Sequence, residues 1–401
     1  TLAVSDDPYE LPFMPSYEDP LFVFNEDEIT FKKWQTAKIN HGFVTSKNVY
    51  GATSVNAMLS FKAKDFKLSY KWGKFIEDSK KDEVEDLFIL LDSIPVIEPW
   101  EIPSKWNELI DICTSKSVDL KNILLKYLHR TKHLIIGFPI PEVINGSNTR
   151  IHWIAAKLPK IPKVTGFRIF SEAHIAYLYS FIFKKGSVIN WVKTANWNKE
   201  EITARGRLDS SISNLKFTVI GVGAIGSYLS EMLLRLGCDN ITLIDDDIVA
   251  AGNMSRHTLT IDRVGMPKVI ALAHRLNLIF PSAVVTPINK SFNNNLDRTT
   301  LNEIMENTDI FIDASANESL LSYITQLLTG TKKKFISLST SYKANRLYCF
   351  MKDTEIGMVD VEFRESIDTW LETDALENPN PVFPREGIGC WHPVLPARLS
   401  L

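Results

Sequence analysis

Between residues 221 and 268 the sequence sets glycines, acids, an amide and two cations in a fixed order. Gly221-Val-Gly223-Ala-Ile-Gly226 leads, at the junction of an apolar β-branched run and a helical pattern. Glycines there let a backbone turn tightly and approach a phosphate, while the following helix offers free N–H groups and a partial positive charge. Asp245 ends the next apolar run, 19 residues after Gly226, where a carboxylate accepts hydrogen bonds from ribose hydroxyls. This much describes an NAD-dependent oxidoreductase as well as an ATP enzyme. The continuation is different: Asp245-Asp-Asp247, then Asn253-Met-Ser-Arg256-His257, then Gly265-Met-Pro-Lys268. Hydride transfer has no use for an amide and two cations just past the ribose acid. Attack on the α-phosphate of ATP does, because charge grows on that phosphate and on departing pyrophosphate, and fixed donors stabilise it. Arg256 or Lys268 alone reads as a solvated surface charge; the ordered set reads as a phosphate site.

A second reactive group is Cys390, in Pro384-Arg-Glu-Gly-Ile-Gly389-Cys390-Trp-His392-Pro393. Glycine and proline on both sides indicate a loop. Arg385 or His392 would favour the thiolate and make Cys390 a nucleophile; the plainer alternative is a loop cysteine packed on Trp391. Cys238 and Cys349 read as packing residues at a helix end and within an apolar strand, and Cys113 is undetermined.

Strand-helix alternation must carry these groups. The patterns give strands at 216–222, 240–245, 284–288, 310–313 and 334–338, and helices at 224–236, 267–279 and 317–328, with Gly237 as a stop and Pro267 in a first turn. Such alternation implies a Rossmann-like, mostly parallel α/β sheet. The boundary falls near residue 203. Residues 1–202 read as a mixed α+β domain: an extended arm over 1–20, a short helix over 119–129, strands over 133–139 and 150–156 flanking an Asn145-Gly146 turn, and a helix over 172–184. Seven of nine tryptophans precede Arg205, which points to core and interface packing.

Composition narrows the classes. A chain of 401 residues, 45% hydrophobic, has room for two or three domains. A net charge of −3 leaves no basic excess for nucleic acid. No apolar run reaches the ~18 residues that span a bilayer, and no secretory signal is visible. Four cysteines without a CxxC pair argue against a cysteine-built zinc site and fit a reducing cytoplasm. Thr1 in place of an initiator Met suggests a trimmed start.

Glycine motif, D-x-D, N-x-x-R and G-x-P-K in this order resemble the ThiF/MoeB/HesA family, whose adenylation fold is shared with ubiquitin-activating enzymes. The likeness covers about 203–352 well. The form Gly252-Asn253-Met-Ser-Arg256-His257 is similar to activating enzymes of bacterial antiviral conjugation operons. The resemblance implies a cytoplasmic, homodimeric adenylyltransferase that uses ATP and Mg2+ to activate the C-terminal carboxylate of a ubiquitin-like or other carrier protein. A conjugating-enzyme partner or domain would receive the product, and neither nucleic acid nor membrane is involved. By position, Asp245 would bind ribose and Asp247 would lie near the phosphates and magnesium. Asn253, Arg256 and Lys268 would contact the phosphates, and Arg205 or Arg207 would reach them from a partner subunit. Cys390 would be the thioester-forming residue of a crossover loop in a 203–401 domain that continues past Leu401, with 1–202 as accessory linker. Family members carry D-x-T-D-N after the fourth strand, and the second acid helps hold magnesium. Here the segment is Asp313-Ala-Ser-Ala316-Asn317. Asp313 would have to supply the metal ligand, or magnesium is bound more weakly, or the domain is a non-catalytic nucleotide-binding scaffold. An oxidoreductase stays open as the other alternative.

Overall fold

The structure, a computed structural model, describes residues 20–49, 54–141, 146–160, 171–184, 186–341, 344, 346–355, 359–377 and 379. It divides into two compact units, Thr1–Trp72 with Ile76–Glu201, and Gly73–Phe75 with Ile202–Leu401.

The first unit is built on a nine-stranded mixed sheet. Its strands are β1 (Leu21–Phe24), β2 (His41–Val49), β3 (Val55–Ala63), β4 (Phe66–Ser69), β5 (Glu83–Leu90), β6 (His133–Pro141), β7 (Asn148–Lys157), β8 (Asn190–Val192) and β9 (Thr194–Asn196). They run in the order β8-β7-β6-β5-β2-β3-β1-β9, with β4 on β3. Along β2 nearly every second side chain is buried, as a half-covered strand requires. By contrast Leu134–Phe138 of β6 is buried throughout, a central strand covered on both faces. Helices α1 (Glu28–Thr36), α3 (Trp106–Ser115), α4 (Leu120–Tyr127) and α5 (Glu172–Ile182) pack around it; one-turn helices α2 (Lys74–Glu77) and α6 (Lys199–Ile202) fall where the chain passes from one unit to the other. One face collects Trp106, Leu109 and Cys113 of α3 and Leu120 and Leu124 of α4 against Leu134 and Ile136. The other holds Trp34, Phe61, Phe88 and Trp153 in edge-to-face and stacked contact. Inside this aromatic layer lies Glu26, 1% exposed. Its carboxylate accepts from Trp34 Nε1 (2.8 Å), Trp153 Nε1 (3.1 Å), Tyr70 Oη and Thr30 Oγ1.

The second unit carries α7 (Ser210–Ser213), β10 (Phe217–Ile220), α8 (Ala224–Arg235), β11 (Asn240–Ile244), α9 (Lys268–Asn277), β12 (Val284–Ile288), α10 (Arg298–Glu306), β13 (Ile310–Asp313), α11 (Glu318–Leu328), β14 (Lys334–Thr340), β15 (Leu347–Asp353) and α12 (Val359–Glu377). The sheet order is β12-β11-β10-β13-β14-β15, all parallel except the last pair. This is the doubly wound arrangement, and the order reverses at β10, so a crevice opens beyond the carboxyl ends of β10 and β13. Helices α8 and α9 share a core with Val219, Leu243 and Val285. Phe311 and Phe335 pack with Ile304 of α10 and Ile324 of α11. Helix α12 lies along β15 through Phe363 on Phe350, ring centroids 5.2 Å apart, and Glu362 on Lys352. It ends with Glu377 on Arg346 at 2.5 Å.

The expected Rossmann-like sheet after a mixed α+β domain is the observed fold. Two details differ. Pro267 is the N-cap of α9 rather than its first residue, and Cys349, expected as a packing residue, is exposed on edge strand β15. The arm over 1–19, Asn145 and Cys390 lie outside the described residues. Among the described residues no helix is long and apolar enough to cross a membrane.

Candidate functional site

The glycine loop leaves β10 and enters α8. Gly221 has φ of +83°, and a Cβ there would meet Ser315 Cα at 2.6 Å. Gly226 lies so close to the loop that a Cβ would stand 2.0 Å from Gly221 O. Gly223 is different: a Cβ would meet nothing within 4 Å. Two glycines are thus needed by the fold, while the third keeps open space beside the start of α8. No side chain caps α8, which leaves its first-turn N–H groups to a ligand. This open cradle fits a phosphate chain. Accordingly, Gly226→Ala should lower the stability of the second unit by about 2–3 kcal/mol, as overpacking does. Gly223→Ala should melt within a degree or two of the wild type but bind nucleotide more weakly. Thermal melts and titrations of both variants check this pair, and equal behaviour would refute the division of labour.

Asp245, at the end of β11, supports the loop from below. Its Oδ2 accepts from Val222 N and its Oδ1 from Asp247 N, both at 2.8 Å. Asp247 in turn accepts from Lys268 Nζ at 2.7 Å, and its carbonyl accepts from Lys268 N at 2.9 Å. Lys268 is 7% exposed, so its ammonium is held in place by the start of α9. Asn253 is buried, with Oδ1 engaged by Ala250 N at 2.8 Å, which leaves its Nδ2 donors to offer. Arg256 follows in the same turn, half-buried, with its N–H on Asn253 O and Nη1 3.4 Å from Gly252 O. His257 closes the segment by donating from Nε2 to Val222 O at 2.8 Å. Motif spacing alone assigns no role to His257; only the fold brings it under the loop.

The expected residues are therefore not all in one place. Gly221, Gly223, Asp245, Asp247, Lys268 and the Asn253–Arg256 turn form one connected cluster. Asp313 lies beneath it, 3% exposed, with Oδ1 on Ser315 N (3.0 Å) and Ser315 Oγ (2.7 Å) and Oδ2 on Ser337 Oγ (3.4 Å). Burial raises its pKa against these hydrogen bonds. The acids whose ligand atoms lie within 4.8 Å of one another, among the described residues, are Asp245, Asp246 and Asp247. Ala316 holds a left-handed backbone, φ +53°, beside Asn317, which caps α11. Arg205 and Arg207 are exposed. The chain beside Arg207 bonds to the far end of α8, Leu208 N to Leu236 O at 2.9 Å, and the helix is about 18 Å long. Within one chain these arginines do not meet the phosphate cluster.

Residues 198–361 match the ThiF family, and residues 1–197 match the Cap2 central linker domain. Residues 198–361 are a ThiF-family domain. Over 421 aligned residues the chain is 29% identical to ATP-dependent ubiquitin transferase-like protein Cap2 of Enterobacter hormaechei, covering 99% of this chain and 68% of that protein. The molybdopterin-synthase adenylyltransferase of Escherichia coli is 28% identical over 32% of this chain and 50% of its own length. That of Haemophilus influenzae is 32% identical over 30% and 49%. The chain thus spans about half the length of the two adenylyltransferases. The Cap2 likeness runs through both units.

Proposed function

We propose that the ThiF-family domain uses ATP to adenylate the C-terminal carboxylate of a ubiquitin-like or other carrier protein, in bacterial conjugation directed against phage. The observation that carries this reading is the Lys268–Asp247–Asp245–Val222 chain of hydrogen bonds, which ties a buried ammonium to the ribose acid and the glycine loop. The likeness to a Cap2 protein along nearly the whole chain supports the carrier-protein substrate and the antiphage setting.

In the proposed reaction a carboxylate oxygen attacks the α-phosphorus, the α–β bridging bond breaks, and acyl-adenylate and pyrophosphate result. Lys268, Arg256 and the Asn253 amide hold the charge that grows on the phosphates, with α8 N–H groups in the same role. Asp245 orients the ribose. Magnesium, entering with ATP, would neutralise phosphate charge; Asp246 and Asp247 offer exposed oxygens to it, and Asp313 would have to give up Ser315 or Ser337. Cys390 as thiolate then displaces AMP and keeps the acyl group as a thioester. Arg207 belongs to this scheme only from a second copy, which is the reason to expect a homodimer.

A thermal-shift titration tests the first step. MgATP should raise the melting temperature, Arg256→Ala should abolish the shift, and NAD should give none. A shift with NAD alone would overturn the proposal. Nucleotide binding without pyrophosphate exchange would favour the scaffold that Ala316 suggests.

A further inference from the structure

Val222 lies between Gly221 and Gly223, and its two flanking peptides are held from opposite sides. Asp245 Oδ2 accepts its N–H at 2.8 Å, and His257 Nε2 meets its carbonyl at 2.8 Å. The other ring nitrogen, Nδ1, accepts from Leu259 N at 3.1 Å. A ring nitrogen that accepts from a backbone N–H carries no proton, so the neutral imidazole has its proton on Nε2, facing Val222. His257 is 5% exposed and burial lowers its pKa, which keeps this neutral form at pH 7. Both ring nitrogens are therefore used, one on the glycine loop and one on its own segment. That segment is the turn that carries Asn253 and Arg256.

We propose that His257 is a positioning residue that fixes the glycine loop to the Asn253–Arg256 turn through its Nε2–H bond to Val222 O. The two sets of phosphate donors belong to different elements, α8 and the loop after β11. Asp245 ties the glycine loop to the start of that segment; without a second link farther along, the Asn253–Arg256 turn would sample its own positions, and a phosphate chain bridging both would have to order it on binding. The imidazole supplies that link before ligand arrives. This inference rests on the nucleotide reading above, but its first observable does not.

Three variants separate the bond from mere packing. His257→Leu removes both hydrogen bonds. His257→Gln places an amide N–H2 where Nε2 is. His257→Asn keeps an acceptor for Leu259 but is too short for Val222. Hydrogen–deuterium exchange of peptides covering residues 221–226 in the ligand-free protein should rise about tenfold in the Leu and Asn variants, with β10 still protected, and return to within about threefold of wild type with Gln. KM for MgATP in pyrophosphate exchange should follow the same order, while kcat changes less. If Leu proves too unstable, Asn against Gln carries the comparison. Equal loop exchange in Asn, Gln and wild type overturns the proposal. If wild type binds no MgATP, the nucleotide reading fails, and loop exchange still decides whether the clamp exists.

Discussion

Lys268→Met should lower ATP–pyrophosphate exchange by at least about 100-fold while leaving the second unit folded. The figure is that for removal of one fixed charge from a transition state whose charge it stabilises. Methionine is chosen because the lysine stem is buried, and a shorter residue would leave a cavity that confuses lost chemistry with lost packing. The ion pair itself contributes little to stability, since the Asp247 side chain is 68% exposed and water screens it. The melting temperature should therefore move by no more than a few degrees. Lys268→Arg keeps the charge but spreads it over a planar fork, and should recover only part of the rate. A Met variant with wild-type exchange would remove Lys268 from the mechanism and weaken the adenylation reading with it.

The second large effect is expected in the first unit. Burial raises the Glu26 carboxyl to about 7, against hydrogen bonds from Thr30, Tyr70, Trp153 and Trp34 that pull it down. Thr30 Oγ1 receives Asp27 N at 2.9 Å and donates to Glu26 Oε2. Oε1 takes the N–H and O–H donors of Trp34, Trp153 and Tyr70. A carboxyl whose native pKa exceeds its unfolded value holds a proton that the unfolded chain releases between the two. Stability from this group is therefore full below about pH 4.5 and is lost as pH rises towards about 7, by about 3 kcal/mol at the outside. Glu26→Gln copies the protonated form. It should match the wild type near pH 5 and exceed it near pH 8, with the pH dependence of the first melting transition flattened. Glu26→Ala should cost about 4 kcal/mol or more, because buried indole and phenol donors lose their acceptor. Melting curves from pH 5 to 8 decide this; a Gln variant that tracks the wild type across the range would show that Glu26 is ionised in the native unit.

Much of the second unit was legible in the sequence because its strands are continuous apolar runs, as a sheet covered on both faces demands. Phe217–Ile220 and Ile310–Asp313 are buried at every residue. Helix α10 was not legible: Arg298–Glu306 holds one buried residue, Ile304, and its start depends on the Asp297 cap. A strand around Cys349 was legible, but not that β15 alternates on an edge; helix α12 escaped because it is mostly exposed. In the first unit the nine-stranded sheet was legible only at β6 and β7. Strand β3 packs Met58, Phe61 and Val55 among polar residues, and β5 begins Glu-Val-Glu-Asp before its apolar part, so neither keeps a clean period. The phosphate cluster was legible as an ordered motif. Its internal bonding was not, because Asp245 on Val222 and His257 on Val222 join side chains to a backbone that spacing does not place.

The return path of α12 bears on the thiol. Strand β15 begins opposite Thr340, at the carboxyl end of β14, and Glu377 closes α12 on Arg346 just before that strand. The chain is thus brought back to the same rim of the sheet as the glycine loop, three strand spacings or about 14 Å from β10. Cys390 follows Glu377 by 13 residues, a contour of at most about 45 Å. Averaged over a sphere of that radius, one thiol amounts to about 4 mM, whatever route the chain takes. An acyl-adenylate formed at that rim would therefore meet its own cysteine at a local concentration that thiols free in solution reach only when supplied at millimolar levels.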